Sequence, residues 1–480
     1  MEALLARATA ADPAASPARV HGASAPAPRA APPAAGTGPC LGELLGALSH
    51  AFDLTGGQPA GHGLRSCWIA QQLGIAIGLG TTELRDLYYT TLLKDAGCSS
   101  NSARVCQLFL TDDRSFKSGR RGLGLGTPGL LGFLLRHTGA EAGLGARVGA
   151  LVHAARRGEA IERELVETRC SRGADVARRL RLGEAVAAGI HGLDEHWDGS
   201  GHPRGLAGAA IPLASRIALL AQMVDVFHQR GGAQAARQMA ARRRGGWFDP
   251  RLADAFAVLG RDPGFWSGLA AADLGQHVLA MEPARQPQPV DDDYLDDIAA
   301  AFGQIVDAKS PFTGGHSARV ALFADRLAAR LDLGDDTRRW LRRGALLHDV
   351  GKLGVSNRIL DKRGKLDPAE RAQMQRHAMH TEQILGRISA FDTLARVAGA
   401  HHERLDGSGY PRGLDARHIR LETRIITTAD VFDALTADRP YRAALPLEQA
   451  LDIMRADIGK GIAADCFEAL RDVLGELPAA

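Results

Sequence analysis

In the C-terminal half of this 480-residue chain, Gly344–Leu353 reads Gly-Ala-Leu-Leu-His-Asp-Val-Gly-Lys-Leu, an apolar segment that sets His348 beside Asp349. An imidazole nitrogen can hold one metal ion and a carboxylate can bridge two. Neighbours on a helix point about 100° apart, so the pair can close around an ion. Lys352 follows His348 by four residues, and on a continuing helix its ammonium lies over the same spot. Gly351 removes a side chain where another group approaches closely.

Four more histidines and a second carboxylate join this pair. His316 shares a helical stripe with Val320, Phe323 and Leu327, so it faces inward. His377 follows an Asp367-Pro368 helix start and lines up with Met374, Ile384 and Ile388. His401 and His402 follow Val397 and Ala398, and Asp430 lies in a helical segment over Leu421–Leu435. Burying one unpaired polar group costs roughly 1–3 kcal/mol, so this many inward titratable groups point to a shared cation. Mixed imidazole and carboxylate ligands suit Fe, Mn or Zn rather than Mg or Ca. A pair of such ions can activate a water and clamp both oxygens of an in-line phosphoryl displacement.

The elements that position these residues are helices. Ala, Gly, Leu and Arg are abundant, aromatics make up 5%, and alternating Val/Ile/Thr runs are scarce. Net charge is near balance at +3 without a long basic run, which argues against a DNA or RNA polymer as partner. The six cysteines (Cys40, Cys67, Cys98, Cys106, Cys170 and Cys466) are scattered without a Cys-x-x-Cys pair, which argues against a zinc ribbon and a disulfide framework and suits a reducing compartment. No apolar run is long enough to span a bilayer, and no continuous signal-peptide core is seen at the start, so the expected location is the cytoplasm, away from membranes.

Residues 1–38 are mostly Ala and Pro and are expected to be disordered. Helical periodicity covers 39–275, residues 276–293 read as a linker with a polar, Pro-containing stretch at Met281–Asp293, and patterning resumes over 294–480. The two patterned halves repeat one another. Gly-His-Ser-Ala-Arg (315–319) echoes Gly-His-Gly-Leu-Arg (61–65), and Leu-Leu-His-Asp-Val-Gly (346–351) echoes Leu-Leu-Lys-Asp-Ala-Gly (92–97). Asp-Gly-Ser-Gly-Tyr-Pro-Arg-Gly-Leu (406–414) echoes Asp-Gly-Ser-Gly-His-Pro-Arg-Gly-Leu (198–206). The offset falls from 254 to 208, so the first copy carries 46 additional residues between these motifs. Insertions of that size lie on the surface.

With the Gly409-Tyr410-Pro411 loop, the set His316, His348-Asp349, His377, His401-His402 and Asp430 resembles the HD-GYP family over about Asp296–Leu474. The resemblance implies an all-α fold of tandem HD-type domains and a metal-dependent phosphodiesterase that hydrolyses cyclic di-GMP to the linear dinucleotide or to GMP. It implies that those seven residues hold two divalent transition-metal ions, Fe or Mn, with Asp349 bridging and Lys352 steadying the attacked phosphate or the nucleophile. Tyr410, Arg439 and Arg442 match positions that contact the dinucleotide. Physically, guanidinium forks suit phosphate oxygens and a tyrosine ring can border a guanine. Phe312 stands where some members carry a glutamate for a third metal, which favours two. A homodimer, and docking of a cyclic-dinucleotide synthase through the loop, are further expectations.

The first copy resembles the same fold with its chemistry dismantled, so 39–275 is expected to be regulatory or structural. His62 and Asp95 remain, but Lys94 replaces the central histidine and Cys170 falls where His377 would be. Leu193 and Asp194 take the double-histidine positions and Gln222 falls opposite Asp430, with Asp225 three residues on as a substitute if the alignment slips. The alternative, a non-catalytic adaptor that docks a partner, draws on this first copy. The intact ligand set of the second argues against it.

Overall fold

The computed structural model describes residues 39–120, 128–283, 290–440 and 442–476, so the Ala/Pro-rich segment 1–38, part of the expected linker and Tyr441 lie outside the described residues. The described residues are helical, with four isolated bridges and no strand among them. No described helix is long and apolar enough to cross a membrane. The chain divides into two compact units, Cys40–Val290 together with Ser356–Arg358, and Asp291–Val355 together with Ile359 onward. The first unit runs past 275 because the Leu274–Ala280 helix buries Leu274 and Val278, and Glu282 accepts a hydrogen bond from Tyr89 Oη at 2.7 Å.

In the second unit, helix His316–Arg330 packs against Asp335–Leu347 and Leu421–Thr436. His316, Val320, Phe323, Ala324 and Leu327 form its buried stripe, the 3.6-residue pattern read from sequence. Helix Pro368–Leu385 starts as its sequence demands: Asp367 Oδ1 accepts from Glu370 N, Glu370 Oε2 accepts from Asp367 N, and Pro368 occupies the first turn. Leu421–Thr436 is buried along nearly its whole length, which makes it the central helix of the unit.

The Asp335–Leu347 helix does not continue through Lys352. It ends at His348, and Val350–Gly354 tightens into a 3-10 turn. The reason is steric: a Cβ on Gly351 would lie 1.9 Å from the His377 carbonyl oxygen, so the turn is pressed against the Pro368–Leu385 helix. Thr381 Oγ1 locks the contact, donating to His348 O at 2.8 Å and accepting from Gly351 N at 3.0 Å. Lys352 therefore reaches the centre from this turn and not from one helical turn above His348.

The first unit repeats these parts. Helices His62–Ala76, Thr81–Leu93 and Leu213–Arg242 pack together, and a Cβ on Gly97 would lie 1.9 Å from Arg169 O, just as one on Gly351 would from His377 O.

Candidate metal centre

Four histidines are held in one way. His348, His377 and His401 each direct Nδ1 at the carbonyl three residues earlier (Ala345, Met374 and Ala398), all at 2.7 Å. His316 directs Nδ1 at Asp433 Oδ2, also at 2.7 Å. A carbonyl or carboxylate accepts, so Nδ1 carries a proton and every Nε2 is turned inward.

These nitrogens converge on Asp349, which is 1% exposed. Its Oδ2 lies 3.3 Å from both His316 Nε2 and His348 Nε2, while Oδ1 lies 3.5 Å from His377 Nε2 and 3.7 Å from His401 Nε2. Asp430 Oδ1 joins the first set, 3.4 Å from His316 Nε2 and 3.8 Å from His348 Nε2. His402 joins the second, its ring centroid 4.0 Å from that of His401 and 4.9 Å from that of His377. Two clusters result, His316–His348–Asp430 and His377–His401–His402, with the two oxygens of Asp349 facing one each.

The centre fits divalent cations. His316 Nε2, His348 Nε2 and Asp349 Oδ1 are buried without a hydrogen bond, and His377 Nε2 faces His401 Nε2 at 3.3 Å, lone pair towards lone pair. Buried polar atoms in this state need a partner. The electrostatics divide along the same line. Burial draws His348 towards neutrality, but Asp349 and Asp430 outweigh it and lift its pKa to about 10. At the other end burial, then the charge of His402, brings His377 down to about 3, while burial brings His402 to about 4. Asp349 stays well below the carboxylate range: burial opposes this, and Lys352 and the histidines prevail. One end thus calls for positive charge and the other offers neutral imidazoles, the form a metal requires.

Of the other expected site residues, Lys352 donates from Nζ to Asp349 Oδ2. Tyr410 lies over His402, ring centroids 4.8 Å apart at 35°. Arg439 is half-buried, joined to Arg442 by a pair of backbone hydrogen bonds. Arg442 is committed elsewhere, because its guanidinium donates to Ala434 O, Leu435 O and Ala443 O at 2.7–3.0 Å and caps the helix that carries Asp430. Its structural task is to end that helix.

Two residues escaped the sequence reading. Asp433, fully buried, orients His316 and accepts from Arg319. Glu403, 2% exposed, accepts from Arg412 N at 2.7 Å and Leu414 N at 2.8 Å and so shapes the loop that holds Tyr410. The repeat itself carries the missing signal, for Asp225 and Glu195 stand at the same 208-residue offset. Asp225 is thus the counterpart of Asp433, bonded to His62 Nδ1 and Arg65 at 2.6 Å each, rather than a displaced Asp430.

The HD domain family matches residues 130–252 and 301–462, one segment in each unit. A 3′3′-cGAMP-specific phosphodiesterase of Vibrio cholerae is 52% identical over 438 residues, 91% of this chain and 95% of that protein. A cyclic di-GMP phosphodiesterase of Thermotoga maritima is 34% identical over 37% of this chain and 49% of its own length. Among solved structures, a cyclic GMP-AMP-specific phosphodiesterase of V. cholerae superposes with a TM-score of 0.64 at 48% identity, covering 92% of this chain and 98% of that one. The chain belongs to the HD-domain family, in its HD-GYP phosphodiesterase group.

Proposed function

We propose that the second unit is a cyclic-dinucleotide phosphodiesterase whose preferred substrate is the mixed guanine–adenine 3′,3′-cyclic dinucleotide. The observation that carries the hydrolase reading is the division of Asp349, one oxygen towards His316 and His348 and the other towards His377 and His401. That is the placement of a carboxylate shared by two cations, with Asp430 and His402 completing the two sets. When bound, a pair of divalent transition metals, Fe or Mn, supplies Lewis acidity and an activated water for attack at phosphorus with departure of the ester oxygen.

The chain's own residues do the rest. The four Nδ1 anchors fix the imidazoles before any ion arrives, which limits reorganisation. Lys352 stands beside Asp349, where its ammonium can turn to a phosphate oxygen as charge develops. Tyr410, packed on His402, offers a ring edge beside the centre for a base, and Arg439 is the guanidinium of its turn available to a phosphate.

The expectation of cyclic di-GMP broadens to a cyclic dinucleotide, since relatives named for both substrates match this chain. Preference for the mixed dinucleotide draws support from the 52% identical relative, which matches through both units. Purified full-length protein, loaded anaerobically with Mn²⁺ or Fe²⁺, tests both parts. Faster turnover of the mixed dinucleotide than of cyclic di-GMP is expected. The reverse order overturns the preference, and metal-loaded protein inert on both overturns the hydrolase reading.

A further inference from the structure

The first unit contains a cavity of about 200 Å³, far more than the roughly 10–15 Å³ that one water needs. Cys98, Asp194, Gly201, His202 and Gln222 line it, and these occupy the positions of Lys352, His402, Gly409, Tyr410 and Asp430 in the second unit. The cavity is therefore the first copy's version of the active-site cleft. It is closed to a metal pair: Lys94 is bonded to Asp95, Arg169 is paired with Asp194, and Gln222 offers no carboxylate.

The 46 additional residues of the first copy build its far wall. They fall between Cys98 and Cys170, the span that supplies Val105, Phe109, Phe116 and Leu165 as an apolar side, and Lys117 and Arg120 as a cationic one. These apolar residues form a small core of their own, with the Phe109 and Phe116 rings stacked at 4.3 Å. His196 and Trp247 also line it, their rings stacked at 4.3 Å, and the Arg243 guanidinium lies over the Trp247 ring at 3.9 Å. Three cations (Lys117, Arg120 and Arg169) face two carboxylates (Glu162 and Asp194) in the lining. Lys117 bonds Cys98 O, Ser102 Oγ and Asp113, and Arg120 pairs with Glu162. Even so, Arg169 Nε and His202 Nε2 are buried with no hydrogen bond.

We infer that this cavity is a binding site for a small phosphate-bearing ligand with a flat apolar body, of the nucleoside monophosphate class, which is held and not hydrolysed. Each of the three cations has a carboxylate partner, and the unused Arg169 Nε on this cationic side suits a phosphate, as a charge-assisted donor to its oxygens. The Phe109–Phe116 side and the His196 ring suit a base. The choice of a nucleotide rests on reading the second unit as a dinucleotide hydrolase, while the anion site stands on the first unit alone.

Hydrogen exchange of the full-length protein, with GMP or AMP added and with guanosine or adenosine as phosphate-free controls, tests the site. Expected is slower exchange in Asp113–Arg120 and His196–His202 with a nucleotide, at least about tenfold weaker binding of the nucleosides, and a similar loss in Arg120→Ala and Leu165→Trp. Unchanged exchange in the His62–Ala76 helix of both variants shows that the unit is still folded. Absence of protection by either nucleotide, equal protection by the nucleosides, or variants that bind as the parent does would each overturn the site. Protection in the first unit of a protein that hydrolyses no dinucleotide would sink the reading of the second unit and leave this one standing.

Discussion

The two units keep the same frame and differ in what it surrounds. His62, Arg65 and Asp225 reproduce the bonding of His316, Arg319 and Asp433. Glu195 folds its loop through Arg204 N and Leu206 N just as Glu403 does through Arg412 N and Leu414 N. What changes is the inner layer, where Lys94, Arg169 (not the expected Cys170), Leu193, Asp194 and Gln222 stand in place of four histidines and an aspartate. The outer layer is thus sufficient for the fold, and the inner layer alone carries the chemistry. Retention of the Asp-Gly-Ser-Gly loop in the first unit follows from its anchor on a buried glutamate and needs no catalytic explanation.

The sharpest way to break this comparison is to remove the central carboxylate of the second unit. Asp349→Ala is expected to abolish hydrolysis and to lower bound metal, read by elemental analysis. A fully active variant with normal metal would end the assignment. The corresponding cut in the first unit acts on stability: Lys94 is 2% exposed and bonded to Asp95, so Lys94→Ala leaves a buried carboxylate without its ammonium. A loss of about 3–5 kcal/mol is expected, measured by denaturant unfolding of the first unit's transition, with turnover by the second unit retained in native conditions.

Lys352→Ala is expected to lower turnover by roughly 10²–10³ while metal content stays near normal, because its proposed role is on the phosphate. An equal fall in both would make it a metal-site residue. Asp433→Ala, which frees His316 to rotate, is expected to cost about 10–100-fold in metal affinity or activity, seen as a raised metal requirement in the assay. A smaller effect is expected at Asp225. Burial raises its carboxyl, but His62 and Arg65 outweigh burial and hold it below the ordinary range. A depressed folded value means that the stability it contributes is present above the unfolded value near 3.9 and is lost as pH falls through the folded one. The stability gap between the parent and Asp225→Asn should therefore shrink on acidification, and a gap that widens would place the interaction elsewhere.

The all-helical fold was legible because its signals are local: the His316 stripe, the Asp367-Pro368 start, the Gly351 contact. The meeting of seven ligand-type side chains was legible from their number and inward spacing. Asp433 and Glu403 were not, since they act through partners far away in sequence or on loop amides that no periodicity reveals. Lys352 misled for a different reason. Helical spacing assumes that the helix continues, and a backbone contact between Gly351 and His377 O decides otherwise. Arg442 shows that a guanidinium suited to phosphate is equally suited to the carbonyls at a helix end.

In both units a lysine accompanies the central carboxylate, but from opposite sides. Asp349 has Lys352 three residues after it, whereas Asp95 has Lys94 immediately before it and Cys98 Sγ at 3.5 Å in the later position. A lineage can pass between these states without ever stranding a buried anion, by acquiring the second lysine before losing the first. Exchange of the central histidine for a lysine then needs no simultaneous repair elsewhere around the carboxylate.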